Sequence, residues 1–362
     1  MAACLTREGN FANPASRAHF FGWQAEAAVE KARGQLAKLL NADPRSLVWT
    51  SGATESNNLA LKGLAYAHRE KGKHIITSSI EHKAVLDPCA YLEANGFEVT
   101  YLEPDSQGVI SVEAVKNALR DDTTVVALMH VNNEVGAINP ISEVAALCRR
   151  CGVHLHVDAA QSVGKIPVDV AELGAHTLAL SAHKFYGPKG VGALYVQRSP
   201  QVAISAQIHG GGHQRGMRSG TLATHQIVGL GAAAEVASKQ LSQDLAHYAA
   251  LREAFLAGLK DLDGWFRNGS EGSHVDSIVN ITFEGVEGET LLSALRDLAV
   301  STGSACTSAS VDPSYVLSRM GLSDQQAHAS LRFSFGRYTT IEDIAYAAQK
   351  ITTVVPSLRA RR

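Results

Sequence analysis

Short apolar runs alternate with helix-periodic segments through the first two-thirds of the 362-residue chain, and this alternation constrains the fold more than any other feature. The spacing predicts strands over 46–51, 74–79, 97–102, 124–130, 153–158, 177–181 and 192–196. Between them it predicts helices over 55–68, 83–95, 112–119 and 141–150. Strands buried on both faces read as nearly continuous apolar runs, and helices between them are the crossovers that parallel strands require. The expected class is therefore α/β, a large domain with a mostly parallel seven-stranded sheet covered by helices. An Ala-rich helix over 230–262 bridges to a smaller α+β part, with strands at 277–283 and 331–335 and helices at 289–298 and 341–353. The expected domains are 1–240, a large cofactor-binding domain, and 241–362, a small C-terminal domain.

Lys+Arg (33) nearly balances Asp+Glu (35), so no excess charge points to nucleic acid or to an anionic membrane as partner. No apolar run approaches the roughly 18 residues that span a bilayer, and residues 1–10 lack the apolar stretch of a signal peptide. The expected location is cytoplasmic. Cys4, Cys89, Cys148, Cys151 and Cys306 are few and odd in number, which favours reduced thiols over disulfides.

Several segments carry chemistry. Ser51-Gly52-Ala53-Thr54-Glu55-Ser56-Asn57 lies where a strand hands over to a helix. Free N–H groups and the helix dipole suit a phosphate there, although a helix capped by Thr54 or Ser51 would look the same. Asp158 follows a strand, where a carboxylate can pair with the protonated ring nitrogen of pyridoxal phosphate or simply cap a helix. In Ser181-Ala182-His183-Lys184-Phe185-Tyr186-Gly187-Pro188, the lysine sits between donors and a rigid turn, a setting for a Schiff base with an aldehyde cofactor. His82 opens a helix after a strand and could stack on a ring or cap the helix. Cys306 stands in a run of small polar residues, 301–310, which predicts a surface loop where the thiol could reach substrate or be an ordinary exposed cysteine. The glycine-rich stretch 209–221, with Arg215, Arg218 and Thr221, suits an anion or a subunit contact. His154, His156 and Asp158 alternate along one strand and so share a face, which raises a metal-dependent hydrolase as a rival. Cys148-Arg149-Arg150-Cys151 has no second pair and reads as two helix-end cysteines.

In their joint order these segments resemble the cysteine desulfurases of the IscS/NifS type, in the class V aminotransferase superfamily of fold-type I pyridoxal phosphate enzymes. The resemblance rests also on Phe11-Ala12-Asn13-Pro14-Ala15-Ser16, Met129-His130-Val131-Asn132-Asn133-Glu134 and Gly216-Met217-Arg218-Ser219-Gly220-Thr221, and it spans nearly the whole chain. It implies that Lys184 binds the cofactor aldehyde, that Asp158 pairs with the ring nitrogen, that Gln161 bonds the ring hydroxyl and that His82 stacks on the ring. Ala53, Thr54, Ser181 and His183 would hold the phosphate, and Thr221 would reach the phosphate of the neighbouring subunit in a homodimer. Asn133 would lie beside the cofactor and substrate, and Arg332 would take the substrate carboxylate. Cys306 would attack the sulfur of L-cysteine, keep it as a persulfide while alanine leaves, and pass it to an iron–sulfur scaffold or a sulfur-relay protein. Cys306 could also ligate an iron–sulfur cluster transiently; no other metal role is implied.

Family members open with a further segment bearing an Asp-x-x-Ala-Thr-Thr type motif and close with a scaffold-engaging tail. Met1-Ala2-Ala3-Cys4 falls just before the Asn-Pro-Ala-Ser motif and the chain stops at Arg362, so both are expected to be missing. A selenocysteine lyase, an aminotransferase, or a weakly active paralogue acting as a binding partner are the alternatives; a cysteine in a long loop speaks against the aminotransferase.

Overall fold

A computed structural model describes residues 1–302 and 312–360. The chain divides into two compact units. The first comprises Met1–Leu102, Val112–His130 and Pro140–Leu241, and the second comprises Glu103–Ser111, Val131–Asn139 and Ser242–Arg362.

The first unit holds β1 (Leu47–Thr50), β2 (His74–Ser78), β3 (Glu98–Leu102), β4 (Thr123–Met129), β5 (His154–Asp158), β6 (Thr177–Ser181) and β7 (Gly192–Val196). They form one seven-stranded sheet in the order β1-β7-β6-β5-β4-β2-β3. Pairing is parallel from β6 through β5, β4 and β2 to β3, whereas β7 runs antiparallel to both β6 and β1. This is the mostly parallel sheet expected from the sequence. Every residue of β4 and β6 is buried, as strands covered on both faces must be. The helix Ala53–Ala67 packs Leu61 and Leu64, both fully buried, against Ile75, Val125 and Leu194 of the sheet. Each such side chain contributes about 1.5–3 kcal/mol relative to exposure.

The second unit has its own core and a three-stranded antiparallel sheet, β8 (Trp265–Asn268), β9 (Ile278–Phe283) and β10 (Ser330–Ser334), in the order β10-β9-β8. Its last helix, Ile341–Arg359, is fastened at its start by a capping box between Thr340 and Asp343. Ile344, Ala348, Ile351 and Val355 bury one stripe of that helix against Phe255, Phe283 and Leu291.

Some element boundaries differ from expectation. The stripe carries the last helix through Pro356, past the expected end at 353, because Val355 continues the buried face. The connecting helix is Thr224–Gly258 rather than 230–262. The elements not anticipated include the helix Phe20–Leu40, the strand β8 and the short helices Val170–Leu173, Tyr315–Arg319 and Asp324–His328. The first of these buries Ala25, Val29, Ala32, Leu36 and Leu40, but exposed Phe20, Phe21 and Trp23 at its start break the apolar period. No helix among the described residues is long and apolar enough to cross a membrane.

Candidate active site

Because β1, β2, β4, β5 and β6 run in one direction, their C-terminal ends open on one edge of the sheet, where ligands of open α/β folds bind. The residues at or just after those ends are Gly52 and Ala53, Glu81 and His82, His130, Asp158, and Ser181 to Lys184. The sequence thus delivers most of its chemically marked residues to one edge.

The open helix start at Gly52 is built from absence of bulk. The helix Ala53–Ala67 begins after Gly52, and no side chain caps it. Neither Thr54 nor Ser51 fills the capping role, so the first-turn N–H groups keep their unmet donors and the positive end of the dipole. A Cβ at Gly52 would lie 3.5 Å from Ser181 Oγ, so the two positions are neighbours. Ser181 Oγ bonds His183 Nδ1 at 2.9 Å. Gly192, opposite Thr50 in the sheet, cannot carry a side chain: a Cβ there would come within 2.4 Å of the Leu180 oxygen and 2.7 Å of Gly52 Cα.

Asp158 closes β5 and is almost fully buried. Its Oδ1 accepts from the Ala160 N–H at 2.9 Å, and its Oδ2 accepts from Asn57 Nδ2 at 2.7 Å. Burial pushes the carboxyl above its usual range, against the pull of those two donors and of the nearby His82 and Lys184 charges. A buried carboxylate held this way fits a cationic partner. His82 caps the helix Lys83–Glu93, its Nδ1 accepting from the Ala84 N–H at 3.0 Å, so the neutral ring carries its proton on Nε2. Burial lowers the His82 pKa, Asp158 raises it and Lys184 lowers it. Lys184, in the short helix Ala182–Phe185, therefore belongs to one electrostatic cluster with His82 and Asp158.

In the second unit, Asn132 Oδ1 accepts from the N–H groups of Glu134 and Val135 and holds a tight turn. That turn presents the Asn133 carbonyl to Arg332 Nη1 at 2.8 Å. Asn133 Oδ1 and Arg332 Nε are both buried without a protein partner among the described residues. An acceptor and a donor left in this state fit the ammonium and carboxylate of an amino acid.

Other candidates are placed as follows. Gln161 Oε1 accepts from Lys165 Nζ at 2.5 Å, which leaves its amide N–H₂ for a ligand. Thr221 lines a separate cavity of about 250 Å³ with Asn13, Pro14, Arg33 and Gln214. Arg218 is engaged by Glu55 at 2.7 and 3.2 Å, so this arginine of the glycine-rich stretch binds a protein carboxylate rather than a free anion. Cys306 lies outside the described residues. Among the other thiols, Cys89 and Cys148 are buried and pushed up to about 12 by burial, Cys4 is buried, and Cys151 is exposed at a helix end.

The face shared by His154, His156 and Asp158 is not a metal site. His156 is fully buried between Thr177 Oγ1 and Asn57 Oδ1, each at 2.9 Å, while His154 stacks on His68 with ring centroids 4.1 Å apart. No group of metal-binding side chains occurs among the described residues.

Sequence reasoning missed Asn57 and Glu81 in the first unit and Glu134 in the second. Glu81 is buried, its Oε1 accepting from the Met129 N–H at 2.8 Å and from Ser78 Oγ at 3.2 Å, and burial lifts its carboxyl well above the usual range. The signal available was a glutamate between an apolar strand and a helix start, with no cationic residue at helical spacing to pair with it.

The Aminotransferase class-V family model matches residues 5–346. The chain is 58% identical over 359 residues to the cysteine desulfurase IscS of Pseudomonas aeruginosa (strain LESB58), covering 99% of this chain and 89% of that protein. A solved structure of a NifS-like protein superposes with a TM-score of 0.90 at 37% identity, covering 98% of this chain and 94% of the other. A structure of SspA in complex with cysteine gives a TM-score of 0.81 at 40% identity, covering 91% and 92% of the two chains. The chain belongs to the class V aminotransferase family, and within it to the cysteine desulfurases of the IscS type.

Proposed function

We propose that the protein is a pyridoxal phosphate-dependent cysteine desulfurase, which converts L-cysteine to L-alanine and leaves the sulfur as a persulfide on Cys306. The observation that carries this reading is the cluster of Lys184, His82 and the buried Asp158 at the C-terminal sheet edge. The bound cysteine of the SspA structure supports the substrate.

The residues present fit the cofactor. The uncapped helix start at Ala53 and Thr54, with Ser181 and His183 beside it, suits a phosphate; Asp158 suits a protonated ring nitrogen; Gln161 keeps donors for a ring hydroxyl. When bound, pyridoxal phosphate supplies an electron sink for the charge left as the α-proton of cysteine departs.

This chain's own residues do the rest. Lys184 would be the base that takes the α-proton and returns it. Asn57 and the Ala160 N–H hold Asp158 in its ionised form against burial. His82, with its proton on Nε2, would lie against the cofactor ring and supply a proton. Arg332 takes the substrate carboxylate beside Asn133. The Cys306 thiolate attacks the substrate sulfur: an S–S bond forms, the C–S bond breaks, its electron pair stays on the alanine skeleton, and that carbon is then protonated. The high pKa of Cys89 and Cys148 supports Cys306 as the reactive thiol.

The persulfide passes to an iron–sulfur scaffold or a sulfur-relay protein in the cytoplasm. Residues 1–240, apart from 103–111 and 131–139, serve as the cofactor-binding domain, and those two segments with 241–362 as the small domain, to which Cys306 belongs in sequence. The working form is a homodimer in which Thr221 serves the partner's phosphate. Exposed Phe11, Phe20, Phe21 and Trp23 support a protein–protein surface in the first unit.

The test is borohydride reduction of the purified protein followed by peptide mass mapping. The cofactor label is expected on Lys184 and lost in Lys184→Ala; a label on another residue, or none, overturns the assignment.

A further inference from the structure

Glu134 is 2% exposed in the second unit, and its side-chain partner among the described residues is Ser314. Its Oε2 accepts from Ser314 Oγ at 2.5 Å. Its backbone is held from two sides. Asn132 Oδ1 accepts from its N–H at 2.9 Å, and its carbonyl accepts from Asn280 Nδ2 at 3.3 Å. Asn280 is the cross-strand partner of Arg332 in the β9–β10 pair. Arg332 is fixed in turn: its N–H donates to the Ser301 oxygen at 2.7 Å, its oxygen accepts from the Ser301 N–H at 3.2 Å, and its Nη1 donates to the Asn133 oxygen. Hydrogen bonds through Asn132, Asn133 and Asn280 thus link the backbone of Glu134 to the strand pair that carries Arg332, and the Arg332 charge acts on the Glu134 carboxyl.

We propose that Glu134 is a positioning residue for substrate recognition, whose charge, seated between Ser314 Oγ and the field of Arg332, sets how strongly Arg332 holds the carboxylate of the amino-acid substrate. This deepens the reading of Arg332 as the carboxylate-binding group and rests on it. With Glu134 neutral, Arg332 offers its full charge to a ligand. With Glu134 ionised, part of that charge is cancelled, and an anionic ligand is held less tightly. Burial raises the Glu134 carboxyl to about 7, against the Ser314 hydrogen bond and the Arg332 charge, which lower it. The groups facing it are Ser314, Asn280, Asn132 and Arg332, and among the described residues Arg332 is the charged one that acts on it. The exchange between the two states therefore falls in the physiological range. A coupling of about half to one pKa unit changes affinity roughly 3- to 10-fold.

The experiment is calorimetric titration of the holoenzyme with 3-mercaptopropionate, whose carboxylate stays ionised and whose thiol stays protonated between about pH 6 and pH 8. Wild-type protein is expected to bind it roughly 3- to 10-fold more tightly at pH 6 than at pH 8. Glu134→Gln, which keeps an acceptor for Ser314 without the charge, is expected to lose most of that difference. Ser314→Ala removes the donor that favours the ionised carboxylate and is expected to move the transition to higher pH; it serves equally if Glu134→Gln does not fold. Superimposable pH profiles for wild type and the variants overturn the proposal. Arg332→Ala separates the two readings: unchanged binding in that variant refutes Arg332 as the carboxylate group, whereas lost binding with matching profiles for wild type and Glu134→Gln refutes the role of Glu134 alone.

Discussion

Asn57 donates from Nδ2 to Asp158 Oδ2 at 2.7 Å, and these two residues stand 101 positions apart in the chain. The same amide accepts from His156 Nε2 at 2.9 Å, and His156 Nδ1 lies 2.9 Å from Thr177 Oγ1. Since Asn57 must donate to the carboxylate, its oxygen must accept, which places the His156 proton on Nε2 and makes Thr177 the donor to Nδ1. Burial lowers the His156 pKa to about 3, so the ring remains neutral at physiological pH. A relay from β6 through β5 and the helix Ala53–Ala67 thus ends on the Asp158 carboxylate, the group proposed to pair with the cofactor ring.

Replacing Asn57 by Leu is therefore expected to do two things. It strands two buried polar groups, a loss of about 2–4 kcal/mol in unfolding free energy. It also raises the Asp158 pKa further and weakens pyridoxal phosphate binding by roughly 10-fold, the equivalent of about one pKa unit. Denaturant unfolding and cofactor titration of the apoprotein measure the two effects. Unchanged affinity would remove Asn57 from the cofactor site.

Glu81 predicts a pH-dependent stability. Its folded pKa lies well above the unfolded value, so its contribution is full below about pH 4.3 and is lost as pH rises through the folded pKa. Glu81→Gln does not titrate. The stability of the variant relative to wild type should therefore rise with pH, by up to about 1.4 kcal/mol per pH unit between pH 5 and pH 7. Urea unfolding at the two pH values checks it; a constant difference means that Glu81 is ionised in the folded protein.

Gly192→Ala tests the close approach behind the proposed phosphate site at the Gly52 helix start. The new methyl would meet the Leu180 oxygen and Gly52 Cα well inside contact distance, and neither is a flexible side-chain end. A loss of about 1–3 kcal/mol is expected, with weakened pyridoxal phosphate binding because Gly52 starts the helix. Wild-type cofactor affinity and melting temperature would show that the backbones can part without cost.

The sheet was legible because strands buried on both faces leave continuous apolar runs: Thr177–Ser181 and Gly192–Val196 fall where the sequence puts them. The helix Phe20–Leu40 was not legible, since its first turn exposes Phe20, Phe21 and Trp23 and so hides the period that Val29, Leu36 and Leu40 obey. Residues at strand ends, such as Asp158 and Lys184, could be picked out because position and residue type coincide there. Asn57 and Glu134 could not. Each is an ordinary polar residue whose meaning comes from partners far away in sequence, Asp158 for the one and Ser314 for the other. The alternation of His154 with His156 suggested a ligand face, but a shared face says nothing of what covers it, and here the helix Ala53–Ala67 supplies Asn57 to His156.

The central claim is the transfer of sulfur from L-cysteine to Cys306. The direct measurement incubates the holoenzyme with L-cysteine, without reductant, and quantifies alanine together with the modification state of every cysteine by peptide mass spectrometry. Wild-type protein is predicted to release alanine and to gain one sulfur atom on Cys306, while Cys306→Ala retains the cofactor on Lys184 but releases almost no alanine. Alanine and sulfide release by Cys306→Ala at the wild-type rate, or a persulfide found on Cys151 instead, would contradict the account.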